Sequence, residues 1–290
     1  MTLLVVLWGL DYIIAKNALT LLAPMSLLFC KYTAGFLTVL LIKMKLDPKA
    51  RPRKKDLPLF ICCSIMGEIL YFSCEYTAMD YMPVSLITII LAFVPVVSII
   101  IERVLYKRRA TKTIVIGILI CVFGVVLIIG VDFRILLEGR IIGYLLAFAA
   151  VFAWNCFNFI TTSLRQRYSS ITLTATQLLC TILIIAPYAL HQMPPAAAFT
   201  PSIIVGVLYL GIVSAGFGFL IQVRSLHILG PTVTSLFSNF LPITATFFGW
   251  LILGETITAM QIIGGAIVIS AGCVVIKEKG KLEESTDEGI

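Results

Sequence analysis

Ten stretches of about 19 to 23 mainly apolar residues follow one another along this chain, separated by short connectors. An α-helix needs roughly 20 apolar residues to cross the hydrocarbon core of a bilayer. Sixty per cent of the 290 residues are hydrophobic, 13% are charged and the mean hydropathy is +1.04, so the solvent for most side chains must be lipid. The expected fold is an all-α membrane protein with helices near 2–20, 25–43, 57–76, 83–103, 113–131, 140–162, 171–190, 202–222, 231–253 and 258–276. The first stretch is read as a mature span rather than a signal peptide, because Asp11 and Lys16 interrupt it and no small-residue cleavage site follows.

Basic residues orient the spans, since cytoplasmic loops accumulate Lys and Arg. Of the 22 lysines and arginines, 18 fall in the even-numbered connectors and the tail, including the run from Lys43 to Lys55 and the cluster from Arg103 to Lys112. Both termini are therefore expected to be cytoplasmic. Charge bias beside two spans accounts for the 43–55 run, so no nucleic-acid partner is expected. The acidic residues after Lys281 read as a disordered, solvated tail over 278–290. The eight cysteines lie inside apolar stretches without metal-ligand or disulfide spacing and read as small buried hydrophobes, so no metal and no cofactor is expected.

The two halves echo each other at a period of about 147 residues. Trp8 matches Trp154 and Pro95 matches Pro242, with separations of 87 and 88 residues within each half. The glycines from Gly117 to Gly124 are mirrored by Gly265 to Gly272. Five helices per half is an odd number, so the second copy must enter the membrane from the opposite side. The expected organisation is two inverted five-helix repeats, 1–131 and 140–277, around a central cavity. Such repeats place substrate at the midplane and permit alternating access. Pro95 and Pro242 interrupt corresponding spans, because proline removes a backbone hydrogen bond, and matched interruptions point toward a site.

The WGxxYxxxK pattern from Trp8 to Lys16, the mid-helix prolines, the LGE at Leu253 to Glu255 and the glycine-bearing last helix occur in order in this duplicated frame. Together they resemble the drug/metabolite transporter superfamily, specifically its EamA-like ten-helix exporters. The resemblance implies ten helices in a bacterial cytoplasmic membrane, as a monomer or homodimer, exporting amino acids, other metabolites or drugs. Two positions depart from it: Tyr106-Lys107-Arg108 stands where the first half would repeat the LGE, and Lys31, with Gln177 in the repeat, replaces an arginine common in the second helix of relatives.

A charge at the bilayer centre costs roughly 2.5–3.5 kcal/mol on insertion scales, so intramembrane charges should face a cavity or a partner. Asp11, Lys16, Lys31 and Glu68 are such charges. At 100° per residue, Trp8, Asp11, Tyr12, Ala15 and Lys16 share one face of the first helix, and Ser64, Glu68, Tyr71 and Glu75 form a stripe on the third. Trp154, Asn158, Thr161 and Thr162 mark the sixth helix, and Ser235, Ser238, Asn239, Pro242 and Thr246 the ninth. The expected substrate-lining set is Trp8, Asp11, Tyr12, Lys31, Ser64, Glu68, Tyr71, Trp154, Asn158, Ser235 and Asn239, with Glu68 and Asp11 as proton carriers. A static ion pair with Lys31 or Lys16, and helix-to-helix hydrogen bonding at the Ser, Thr and Asn positions, are the competing structural readings. Glu102, near the cytoplasmic end of the fourth helix, has Arg103 and the following basic loop close by and reads as a structural anchor.

No GxxxxGK[ST] loop, GxSxG elbow, HExxH helix or filter-like motif is present, which argues against an ATP-driven pump, an intramembrane enzyme and a channel. A small-molecule secondary transporter remains, with a nucleotide-sugar or sugar-phosphate antiporter as its alternative. Those polyanions need several basic residues, and only Lys16 and Lys31 qualify.

Overall fold

Every regular element among the described residues is helical. The computed structural model describes residues 1–78, 80–82, 84–107, 110–130 and 140–287. Among the described residues, eight helical stretches are long and apolar enough to cross a membrane. One of them, Pro201–Ile252, contains 52 residues, which at 1.5 Å per residue is far longer than a ~30 Å hydrocarbon layer. It is broken at Gly230, whose φ of 72° and ψ of 170° suit only glycine, and Pro231 follows without an N–H to continue the ladder. The two arms are labelled α8 (201–229) and α9 (231–253). The other seven are α2 (Pro24–Leu46), α3 (Lys54–Ala78), α4 (Leu86–Tyr106, with a leading turn from Val84), α5 (Lys112–Ile129), α6 (Ile141–Arg165), α7 (Ser170–His191) and α10 (Ala259–Asp287), and a shorter helix of 17 residues, α1 (Thr2–Ala18), precedes them.

Local chemistry sets many of these ends. Thr111, Ser169 and Thr200 each accept a hydrogen bond from the backbone N–H three residues on, and proline occupies the first turn of α2, α3 and α8. Several helices outrun their apolar cores: α2 continues to Leu46, α8 to 229 and α10 to Asp287, through residues expected to form the tail. Backbone hydrogen bonding does not stop where the hydrocarbon does.

Four helices depart from α geometry, in matched pairs. In α3 the segment Ile65–Leu70 is π-helical, and in α8 the segment Tyr209–Gly218 is π-helical. Glu68 and Ser214, one in each, are 146 residues apart, the same offset that separates Trp8 from Trp154. In α4 the helix stops at Leu91 and restarts at Val94, with Pro95 in its new first turn. In α9 a 3-10 turn, Phe237–Phe240, precedes a restart at Leu241 with Pro242 in the corresponding place.

Two compact units result, and each draws on both sequence halves. The first comprises Met1–Ser73 and Cys156–Ile228. Within it α2 packs on α7 and on the π segment of α8, α1 packs on α8, and α3 packs on α7. Its connectors are also tied together. Ser169 and Thr172, at the start of α7, donate hydrogen bonds to Asp47 after α2, and Arg167 and Tyr168 bind Asp56 at the head of α3. The second unit comprises Cys74–Asn155 and Leu229–Ile290, and its core is the long contact of α5 with α10. There a Cβ on Gly264 would stand 2.6 Å from the Gly124 carbonyl oxygen, so glycine at both positions permits the approach. In the same unit Lys279 of α10 pairs with Glu102 at 3.1 Å, so this glutamate's partner is a residue 177 positions away rather than its neighbour Arg103.

Candidate functional site

Within the first unit, Asp11, Lys31 and Glu68 meet at the two π segments. On α1, Leu4, Trp8, Asp11 and Ala18 follow one inward stripe, and the aspartate reaches α8 and α2 together. Its Oδ2 accepts from the Ser214 hydroxyl and from Lys31 Nζ at 3.4 Å, while Oδ1 has no hydrogen-bond partner among the described residues. The side chains of Lys31 and Asp11 are only 11% and 14% exposed. Lys31 Nζ also lies 5.8 Å from the centre of the Phe72 ring, a distance at which a cation is attracted to the ring face.

The π geometry accounts for part of this arrangement. An i→i+5 segment withdraws backbone groups from the regular ladder, and π segments are frequent at functional sites. The indole N–H of Trp8 donates to the Ser214 carbonyl at 3.4 Å, while the Ser214 hydroxyl turns to Asp11. Tyr209 at the start of the same segment donates to the Leu7 carbonyl at 3.0 Å. Trp8, Tyr32 and Phe157 all make edge contacts with Phe219, forming an aromatic layer beside the ion pair.

Glu68, fully buried in the π segment of α3, accepts a hydrogen bond from Thr181 of α7 through Oε2, and its Oε1 is without a partner among the described residues. The Lys31 ammonium acts electrostatically on Glu68 as well as on Asp11. Ser64 donates to the Gln177 carbonyl at 2.9 Å. The Gln177 amide N–H₂ donates to Thr161 at 2.9 Å and to Cys63 Sγ at 3.0 Å, leaving its own Oε1 unpartnered among the described residues. Asn158 accepts from Gln222 at 3.2 Å. Phe157 seats against Gly67, where any side chain would collide with its ring.

The same joint recurs with different chemistry in the other half. Ser64 and Gly211 are 147 residues apart, as Gln177 and Lys31 are 146 apart. Where Ser64 hydrogen-bonds the Gln177 carbonyl, Gly211 comes so near the Lys31 carbonyl that an added Cβ would be 2.9 Å from its oxygen. One joint is held by a hydroxyl and the other by bare backbone.

Of the expected substrate-lining residues, Trp8, Asp11, Lys31, Ser64, Glu68, Tyr71 and Asn158 fall in this unit. Trp154, Ser235 and Asn239 belong to the second unit, where all three are buried and both amide atoms of Asn239 lack a hydrogen-bond partner among the described residues. Tyr12 lies on α1, but its side chain is outside the described residues. Lys16 does not join the inward face: it is exposed in the last turn of α1, where a flexible side chain near a helix end can reach water. Thr181, Ser214 and Gln222 were missed as participants. The spacing of Thr174, Gln177 and Thr181 on α7, i, i+3, i+7, is the sequence signal that could have exposed the first of them.

The model of the EamA-like transporter family matches this sequence twice, over residues 1–130 and 141–277. The chain belongs to the EamA-like transporter family. It is 23% identical over 281 residues to an uncharacterized transporter of Archaeoglobus fulgidus, covering 96% of this chain and 98% of the relative. It is 25% identical over 286 residues to a protein of Salmonella typhimurium named as a probable amino-acid metabolite efflux pump, covering 94% and 92% respectively. A solved crystal structure superposes with a TM-score of 0.78 over 94% of this chain and 95% of its own, at 17% identity, a likeness of fold. This EamA-like protein is thus a multi-pass membrane transporter, consistent with a place in a bacterial cell membrane, and its family and relatives are transporters rather than enzymes.

Proposed function

We propose that this transporter exports a small amine-bearing or zwitterionic molecule, of amino-acid or related metabolite type, by alternating access, and that Glu68 with Asp11 couples export to protons. The observation that carries this reading is the largely buried set of Asp11, Lys31 and Glu68, in which each acid keeps one carboxylate oxygen unpartnered among the described residues. Two carboxylates against one ammonium favour a cationic group over a polyanion, since Lys31 already serves Asp11. The efflux activity named for the Salmonella relative agrees in direction and substrate class.

Ten crossings with cytoplasmic termini, arranged as inverted repeats 1–131 and 140–277, belong to the same proposal. Support comes from the break at Gly230, the matched π segments, the matched proline restarts and the twofold family match.

Uptake into proteoliposomes of pooled amino acids and amines, with and without an imposed pH gradient, tests the reading. Wild-type protein is expected to accumulate one amine-bearing class when the gradient is present, and Glu68→Gln to lose that accumulation. Wild-type accumulation and pH dependence in Glu68→Gln would end it.

A further inference from the structure

Thr181 makes two contacts that its single hydroxyl proton cannot serve at once. Its Oγ1 lies against Glu68 Oε2 and also 3.1 Å from the Gln177 carbonyl oxygen. A hydroxyl has one proton and can accept as well as donate, an ionised carboxylate only accepts, and a protonated carboxyl can donate. Two arrangements therefore satisfy the chemistry. With Glu68 ionised, Thr181 donates to Oε2 and lets the Gln177 carbonyl go. With Glu68 protonated, the carboxyl donates to Thr181 Oγ1, and the Thr181 proton turns to the Gln177 carbonyl. Each state keeps one proton on Thr181, and the additional proton resides on Glu68.

Gln177 can take part in this exchange without being orphaned, because Ser64 of α3 donates to the same carbonyl at 2.9 Å. The Gln177 amide in turn grips Thr161 of α6 and Cys63 of α3. Thr181, Glu68, Gln177, Ser64 and Thr161 are all fully buried, so bulk water does not compete for these bonds. Among the described residues, the titratable groups acting on Glu68 are Lys31 from α2, Cys180 from α7 and Cys63 from α3 itself. Of these, Lys31 is the group already engaged as an ammonium, with Asp11.

We propose that Thr181 is a positioning residue that reads the protonation of Glu68 and passes it, as a rotation of its hydroxyl, to the α7 backbone at Gln177. This rests on the reading that Glu68 is the proton carrier. The hydroxyl, not the bulk of the side chain, is the working part, and Ser64 holds the carbonyl through both states.

The test is an infrared titration of purified full-length protein from acid to alkaline pH, following the carboxyl stretch that disappears in Glu68→Gln. Thr181→Val removes the donor to the ionised form while keeping shape, and should move the midpoint upward by about one pH unit. Thr181→Ser should restore the wild-type midpoint, and the pH profile of gradient-driven transport should follow both. A midpoint in Thr181→Val within about 0.2 units of wild type, or no titrating band assigned to Glu68, would overturn the relay. Wild-type transport by Glu68→Gln would instead defeat the underlying proton reading, whatever Thr181 does.

Discussion

Replacing Lys31 by methionine keeps an unbranched side chain one atom shorter and deletes its charge, leaving Asp11 in place between α1 and α8. At 3.4 Å and an effective dielectric of about 20 the attraction lost is about 5 kcal/mol. Removing one member of a buried pair typically costs about 3–5 kcal/mol, because the other charge is stranded. Two features reduce that here: both side chains are slightly exposed, at 11% and 14%, and Ser214 still donates to Asp11. We therefore expect Lys31→Met to lower the unfolding free energy by about 2–3 kcal/mol. Asp11→Asn should cost less, since the Lys31 ammonium retains the Phe72 ring at 5.8 Å. The double variant Asp11→Asn/Lys31→Met removes both charges together and should recover at least about 1.5 kcal/mol of the summed losses. Denaturant unfolding in micelles, followed by tryptophan fluorescence, gives all four corners of the cycle. A coupling below about 0.5 kcal/mol would show that the two charges do not depend on each other, and the electrostatic account of the site would fail.

Two further outcomes follow from the packing and the connectors. Gly211→Ala should lower thermal stability by about 1–3 kcal/mol, because the new methyl meets the Lys31 carbonyl oxygen and Ala34 and forces α2 away from α8; an unchanged melting temperature would refute that close approach. Hydrogen bonds from Ser169 and Thr172 hold the Asp47 carboxyl below the usual aspartate range. Its folded pKa is thus depressed, so its contribution is present above the unfolded value of about 4 and is lost as pH falls through the folded value. Asp47→Asn should accordingly show a shallower loss of stability on the acid side than wild type, and an identical acid slope would contradict this account.

Much of the architecture is written locally. Apolar runs of membrane-spanning length, the Gly230-Pro231 break, the restarts ahead of Pro95 and Pro242 and the hydroxyl caps of α5, α7 and α8 each depend on a few adjacent residues. The duplicated frame was equally visible, because Trp8, Trp154, Pro95 and Pro242 keep their spacing whatever the helices pack against. Helical periodicity also put Asp11 and Glu68 on inward faces. It misplaced Lys16, because a helical wheel carries no information on where a span ends and a long side chain can turn to water.

Tertiary structure alone decided the partners. Asp11 meets Ser214 across 203 residues and Glu68 meets Thr181 across 113, pairings set by which helices adjoin and at what height. The π segments were likewise invisible in the sequence: Ile65–Leu70 and Tyr209–Gly218 have no composition that demands an i→i+5 register. In α8 the widened segment is held where Trp8 and Asp11 from α1 take up both the carbonyl and the hydroxyl of Ser214. The mixing of the two halves into interleaved units has the same origin. Hydropathy states that a helix must be buried in lipid or protein, while only the fit of one face against another selects its neighbour.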